Sequence, residues 1–162
     1  MIANDPGHDK PANTESAGPL TLIGFDYGEK RIGVAVGQTL TGTATPLTTL
    51  SARFGKPDWN KVRAIIDQWH PDALVIGLPL NMDGTEQNAT REARRFARRL
   101  QRHHPLPMHF ADERLSTREA RDREHAGPAR QGRDALAAQV ILEGWMNGAR
   151  LQPQPPIKGA NR

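Results

Sequence analysis

The sequence predicts one α/β domain built on a mixed sheet of five strands, the first three antiparallel and the later ones parallel, flanked by helices. Three observations predict it. Leu20 to Asp26 and Arg31 to Gly37 are apolar, β-branched runs joined by Tyr27-Gly28-Glu29-Lys30, the pattern of a hairpin. Ala73-Leu74-Val75-Ile76-Gly77-Leu78 is a nearly continuous apolar run, as expected of a strand buried on both faces. Helical and strand periodicities then alternate toward the C-terminus, which makes the later crossovers right-handed and their strands parallel.

Taken in order, the elements have local reasons. Gly28 offers the first turn a positive φ. A third strand, Thr43 to Leu50, contains Pro46, which suits an edge or a bulge. Pro57 and Asp58 open a helix whose Val62, Ile65, Ile66 and Trp69 share a face, and Pro71 closes it. After the buried strand, Thr85 to His103 reads as a long amphipathic helix. Ala89, Ala93, Phe96, Ala97 and Leu100 form its apolar stripe, and Arg91, Arg94, Arg95, Arg98, Arg99 and Arg102 cover the remainder. That basic face is either a solvated surface or a phosphate-contacting one. The fifth strand is Met108 to Asp112, and Ser116-Thr117-Arg118-Glu119 is a capping box that starts a helix just after Glu113. Gly127, Pro128 and Gly132 interrupt the chain. A last helix then runs from about Arg133 to Asn147, with Asp134, Ala137, Ala138, Ile141 and Trp145 on one face.

The ends differ from this middle. Residues 1–19 are rich in Asn, Asp, Pro, Gly, Ser and Thr, and residues 151–162 include Pro153, Pro155 and Pro156. Neither can bury enough apolar surface to offset the entropy of ordering, so both are expected to be disordered tails around a domain at 20–150. The formal charge of +4 and pI of about 10.0 favour a polyanionic partner. The absence of cysteine excludes a disulfide framework and a thiolate zinc site. No apolar run approaches the ~18 residues of a membrane span, and Met1 to Pro19 lacks the apolar centre of a signal peptide, so a cytoplasmic protein is expected.

Three acids stand at the ends of core segments. Asp26 closes the first strand, Glu113 follows the fifth, and Asp134 opens the last helix. Carboxylates so placed can project from a rigid scaffold into a cleft and hold hydrated Mg²⁺ against a phosphodiester. Each also has a plain reading: Asp26 as a turn residue, and Asp134 as a helix-terminal charge favoured by the dipole. Asp112 and Glu113 are adjacent, so in a strand only one can face the cleft. Asp83-Gly84 reads as a turn. His70, His103, His104, His109 and His125 lack metal-ligand spacing, and Trp59, Trp69 and Trp145 read as core.

The order of elements is that of a ribonuclease H-like fold, and four blocks of residues resemble the YqgF/RuvX family of pre-16S rRNA nucleases, related to Holliday-junction resolvases. They are Phe25-Asp26-Tyr27-Gly28-Glu29-Lys30-Arg31-Ile32-Gly33-Val34-Ala35, Gly77-Leu78-Pro79-Leu80-Asn81-Met82-Asp83-Gly84, Asp112-Glu113-Arg114-Leu115-Ser116-Thr117, and Asp134 with Ala137-Ala138 and Ile141-Leu142. The resemblance implies a metal-dependent endonuclease in which Asp26, Glu113 and Asp134 are the catalytic metal ligands, holding Mg²⁺ or Mn²⁺, two ions about 4 Å apart. It implies Glu113 rather than Asp112 as the acid of the late strand. It further implies nucleic acid as partner, either pre-rRNA cut at the 5′ end of 16S or branched DNA, together with ribosomal assembly intermediates, in a monomer or homodimer. Lys30 and Arg31 are placed to contact phosphates beside the cleft, as are Arg130 and Arg133 in the loop before Asp134, with Arg95, Arg98 and Arg102 on the basic helix.

Two other functional classes compete with a nuclease. One is a non-catalytic RNA-binding assembly factor on the same fold. The other is a nucleotide-binding module, because Asp26-x-Gly28 followed by Gly33 also resembles the phosphate loop of actin and hexokinase relatives; the chain is too short for their two lobes.

Overall fold

The computed structural model describes residues 18–113 and 130–148, with Arg130 and Gln131 in backbone only. Among these the elements are β1 (Thr21–Asp26), β2 (Arg31–Gln38), β3 (Thr43–Arg53), β4 (Lys56–Pro57), α1 (Trp59–Trp69), β5 (Ala73–Leu78), α2 (Asn88–His103), β6 (Met108–Asp112) and α3 (Arg130–Met146). The tails expected at 1–19 and 151–162 lie outside the described residues except at their inner edge, and so does the helix expected from Ser116.

The sheet runs β4-β3-β2-β1-β5-β6. The β1/β2, β2/β3 and β3/β4 pairs are antiparallel, whereas β1/β5 and β5/β6 are parallel. This is the ribonuclease H-like arrangement, with one strand more than expected. The extra strand, β4, arises because β3 continues three residues past Leu50 and turns back through Phe54-Gly55. Pro57 therefore ends a strand instead of opening a helix, and Asp58 alone caps α1, accepting from the Asn60 N–H at 3.0 Å. Pro46 sits where the β2/β3 register shifts, a bulge on a strand that β4 covers only at Ala52 and Arg53.

Two apolar layers sandwich the sheet. Ile23, Phe25, Ile32, Val34, Leu74, Ile76 and Leu78 pack on Val62 and Ile66 of α1 and on Ala93, Phe96, Ala97 and Leu100 of α2. On the opposite face Leu22, Ala35, Ala73, Val75 and Ala111 meet Ala138, Ile141, Leu142 and Trp145 of α3. The alternation of strand side chains accounts for this split, because odd and even residues of β1 and β5 are both apolar.

Three local expectations change. Gly28 is not among the positive-φ residues; its reason for being glycine is crowding, since a Cβ there would lie 2.5 Å from the Arg31 carbonyl oxygen. Ala89 is exposed, and the buried residue that starts the α2 stripe is Thr90. Its hydroxyl donates to the Pro79 carbonyl and accepts from the Gln87 N–H at 3.1 Å, tying the helix to the loop after β5. Finally, Gly132 does not break the chain: α3 begins at Arg130, so residues 130–133 are helical and not a loop. Gly127, Pro128 and Ala129, expected to form a loop, lie outside the described residues.

Candidate active site

The carboxyl ends of β1 and β6 bring two acids onto one face. Phe25 belongs to the α1/α2 layer, so Asp26, its neighbour, points to the α3 side. Ala111 packs under α3, and Glu113, two residues on, returns to that same side, its N–H donating to the Leu78 carbonyl at 3.2 Å. Asp112 faces the other way. Geometry thus separates two adjacent acids that residue type alone leaves equivalent.

Gly77 lies between them. The parallel register pairs Phe25 with Ile76 and Gly77 with Ala111, which sets Gly77 beside Asp26 on one side and below the Glu113 carboxylate on the other. A Cβ on Gly77 would come within 2.4 Å of Glu113 Oε2 and 2.7 Å of Ile141 Cδ1. The carboxylate occupies the space that glycine vacates. Asp26 and Glu113 are 6% and 5% exposed, against 25% for the side chain of Asp134, so the first two acids are held in the domain interior while the third borders solvent. Burial on this scale is costly for a carboxylate unless its surroundings compensate the charge.

The third acid arrives by backbone contact. Gly33 pairs with Asp26 across the β1/β2 ladder, and a Cβ on Gly33 would lie 1.8 Å from the carbonyl oxygen of Asp134. The N-terminal part of α3 therefore rests directly on β2, one strand from Asp26. The Asp134 side chain turns to Arg31, whose Nε donates to Oδ2 at 2.9 Å. Among the described residues no group of three or more His, Asp or Glu side chains is assembled to hold a metal ion. The structure accordingly brings Asp26 and Glu113 to one notch and keeps Asp134 beside it, engaged by Arg31.

The cations predicted to touch phosphate are distributed around this end of the sheet and beyond it. Lys30 is exposed in the β1–β2 turn, and its carbonyl accepts from the Ala52 N–H at 2.9 Å. Arg133 is half-buried on α3, and the side chain of Arg130 lies outside the described residues. Arg95, Arg98 and Arg102 are exposed on α2, which packs on the face opposite α3. The arginine row and the acids thus belong to different layers. Arg94 of that helix serves locally instead, bonding Glu86 at 2.8 Å and lying over the Phe110 ring at 5.2 Å.

Among the described residues, other features singled out by sequence have structural roles, and His125 lies outside them. Asp83 accepts from the Thr85 N–H at 2.9 Å, an Asx-type turn followed by Gly84 at φ 88°. Trp59 stacks on Phe96 and on His103, with ring centroids 6.1 and 4.0 Å apart, and Trp145 is buried beside His109. Burial, then the neighbouring His103, lowers His104 below the usual histidine range. Burial and next the Glu92 carboxylate raise the Tyr27 phenol, which stays neutral at pH 7. Sequence reading placed Gly33 and Gly77 within motif blocks without giving them this role at the site, and it passed over Thr90. The only signal for the glycines is their position inside apolar strands, where glycine marks a close approach.

Antiparallel strands feeding a parallel pair, with helices on both faces, define a ribonuclease H-like fold. Comparison with solved structures agrees: T. thermophilus RuvC in complex with Holliday junction substrate superposes with a TM-score of 0.50 at 14% identity, over 81% of this chain and 98% of that one. A family model described as "RuvX: Holliday junction resolvase" matches residues 20–148. Relatives from Azotobacter vinelandii and Nitrosococcus oceani, each named "Putative pre-16S rRNA nuclease", are 51% and 52% identical over 80% and 79% of this chain and 95% and 87% of their own lengths. The chain belongs to the RuvX family.

Proposed function

We propose that the protein is a metal-dependent endonuclease that hydrolyses nucleic-acid phosphodiesters and processes the 5′ end of pre-16S rRNA. The observation that carries this reading is the placement of Asp26 and Glu113, both buried and both on the α3 face, on either side of the glycine notch at Gly77. The names of the relatives support the RNA substrate. The family description favours a branched DNA as the alternative.

An all-carboxylate donor set fits a hard divalent cation such as Mg²⁺ or Mn²⁺. Asp26 and Glu113 would hold it, with Asp134 completing the set on leaving Arg31. Bound there, such ions supply an activated water and neutralise charge on the phosphate. The protein's own groups do the rest. Gly77 keeps the Glu113 carboxylate against the strand, and Gly33 fixes the height of Asp134 over β2. Arg31 stands beside the notch, where a phosphate can replace Asp134 as the partner of its guanidinium, and Lys30 is exposed one residue before it.

The deciding experiment offers a 5′-extended 16S rRNA precursor, a single-stranded RNA and a four-way DNA junction side by side with Mg²⁺, Mn²⁺ or chelator. Metal-dependent cleavage of the precursor supports the reading. Cleavage of the junction alone transfers it to the resolvase alternative, and binding without cleavage leaves an assembly factor.

Asp134→Asn is expected to lose metal-dependent activity with little change in stability. The pair with Arg31 is partly exposed on both sides, so its loss should cost no more than about 1 kcal/mol. Full activity with a lower melting temperature would make Asp134 a structural acid. The α2 arginines give a separate test. Replacing Arg95, Arg98 and Arg102 together should weaken binding to all sequences alike and reduce the slope of log affinity against log salt, because each phosphate contact releases counterions. An unchanged slope would assign that face to solvent.

A further inference from the structure

The turn between β3 and β4 carries an unusual residue. Arg53 pairs with Lys56, which leaves Phe54-Gly55 as a two-residue hairpin loop, with φ of 53° and 78°. Loops of this type favour Asn or Asp before Gly because both central residues need positive φ. A phenylalanine in that conformation is sterically disfavoured. It gains nothing from burial either, being 85% exposed. Neither local propensity nor packing accounts for Phe54.

The turn is nonetheless firmly placed. The Gly55 N–H donates to the Glu29 carbonyl at 2.9 Å, and Ala52 N–H donates to Lys30, so the hairpin tip is tied to the β1–β2 turn that follows Asp26. Gly55 also packs against the Tyr27 hydroxyl, where a Cβ would sit 2.0 Å away. Glu29, Lys30, Ala52, Arg53 and Phe54 line an open concavity of about 420 Å³. Lys56 is exposed beside it, which gives three cations against one acid around a single aromatic ring. With β2 between β1 and β3, and strands roughly 5 Å apart, the tip stands on the order of 10–15 Å from Asp26 at the same end of the sheet.

We infer that Phe54 is a stacking platform for an unpaired base of the nucleic acid whose backbone runs past Lys30 and Arg53 toward the carboxylate notch. The inference rests on the nuclease reading above and adds to it a specificity element: a preference for a single-stranded segment on this flank of the scissile bond. An exposed ring surrounded by cations suits a base, whose face stacks while its phosphates meet the charges. A protein partner would call for a broader apolar patch, and the neighbours of Phe54 are charged.

The test uses the full chain in chelator, so that nothing is cut, with a short single-stranded RNA carrying one 2-aminopurine and with a blunt RNA duplex. Wild type should quench the single-strand fluorescence on binding. Phe54→Asn, chosen because Asn tolerates positive φ, should keep or raise the melting temperature and bind the single strand roughly ten-fold more weakly, with the duplex affinity and the salt slope unchanged. Phe54→Trp should restore the quench. Equal single-strand binding by wild type and Phe54→Asn overturns the stacking role while leaving the nuclease reading intact, as does an equal loss on the duplex. Failure of the wild type to bind either RNA removes both the stacking role and the RNA-processing reading.

Discussion

Asp26→Asn should abolish metal-dependent cleavage and leave the fold intact. The side chain is buried at the end of β1, in register with Gly33 and beside Gly77, so an amide of nearly equal volume fits the same space. What changes is the charge. Altering groups that only orient a metal's ligands costs roughly 10–100-fold, so losing a ligand carboxylate should exceed this. Stability should change little, because the amide has nearly the volume and shape of the carboxylate it replaces. Initial rates and thermal melts with and without Mg²⁺ measure both effects. Wild-type turnover by Asp26→Asn defeats the mechanism; a large drop in melting temperature means instead that Asp26 holds the fold.

Gly33→Ala should produce the largest loss of stability among single-methyl additions. Its Cβ would meet the Asp134 carbonyl oxygen at 1.8 Å, and that atom is backbone of a helix packed through Ala138, Ile141, Leu142 and Trp145. No rotamer relieves such a contact, so α3 must lift from β2. Overpacking of this kind costs about 3 kcal/mol, which for a domain of this size lowers the melting temperature by roughly 10 °C. Gly77→Ala makes the complementary case. Its Cβ would meet the ends of Glu113 and Ile141, side chains that can turn aside, so activity should fall more than stability. Equal melting of Gly33→Ala and wild type would show that α3 does not bear on β2 there.

The elements were legible where side-chain periodicity is decided by burial. β5 and β6 have the limits read from the sequence, because an apolar run bounded by Pro71 and Pro79, or preceded by Pro107, admits few alternatives. β4 was not legible: it is two residues long, and it forms because a strained Phe54-Gly55 turn folds β3 back. The start of α3 was misplaced because Gly132 weakens a helix only modestly, and the packing of the following turns outweighs it. At the site, the acids could be chosen by position along strands and helix. Their surroundings could not, since Gly33 and Gly77 matter for what their missing side chains make room for, and that depends on which residue arrives from elsewhere in the chain. Nor does charge pattern reveal a layer. The α2 arginines and the notch acids are equally conspicuous in the sequence, yet they lie on opposite faces of the sheet.

The seat of α3 on Gly33 has a mechanical consequence. Contact between two backbones is a hard stop: it has no torsion to yield and resists compression far more steeply than interdigitated side chains do. Toward the sheet, the helix is already at its limit. Normal to the sheet its low-energy displacements are therefore one-sided, so the Asp134 carboxylate nears Asp26 by turning about its own side-chain bonds and not by the helix sinking.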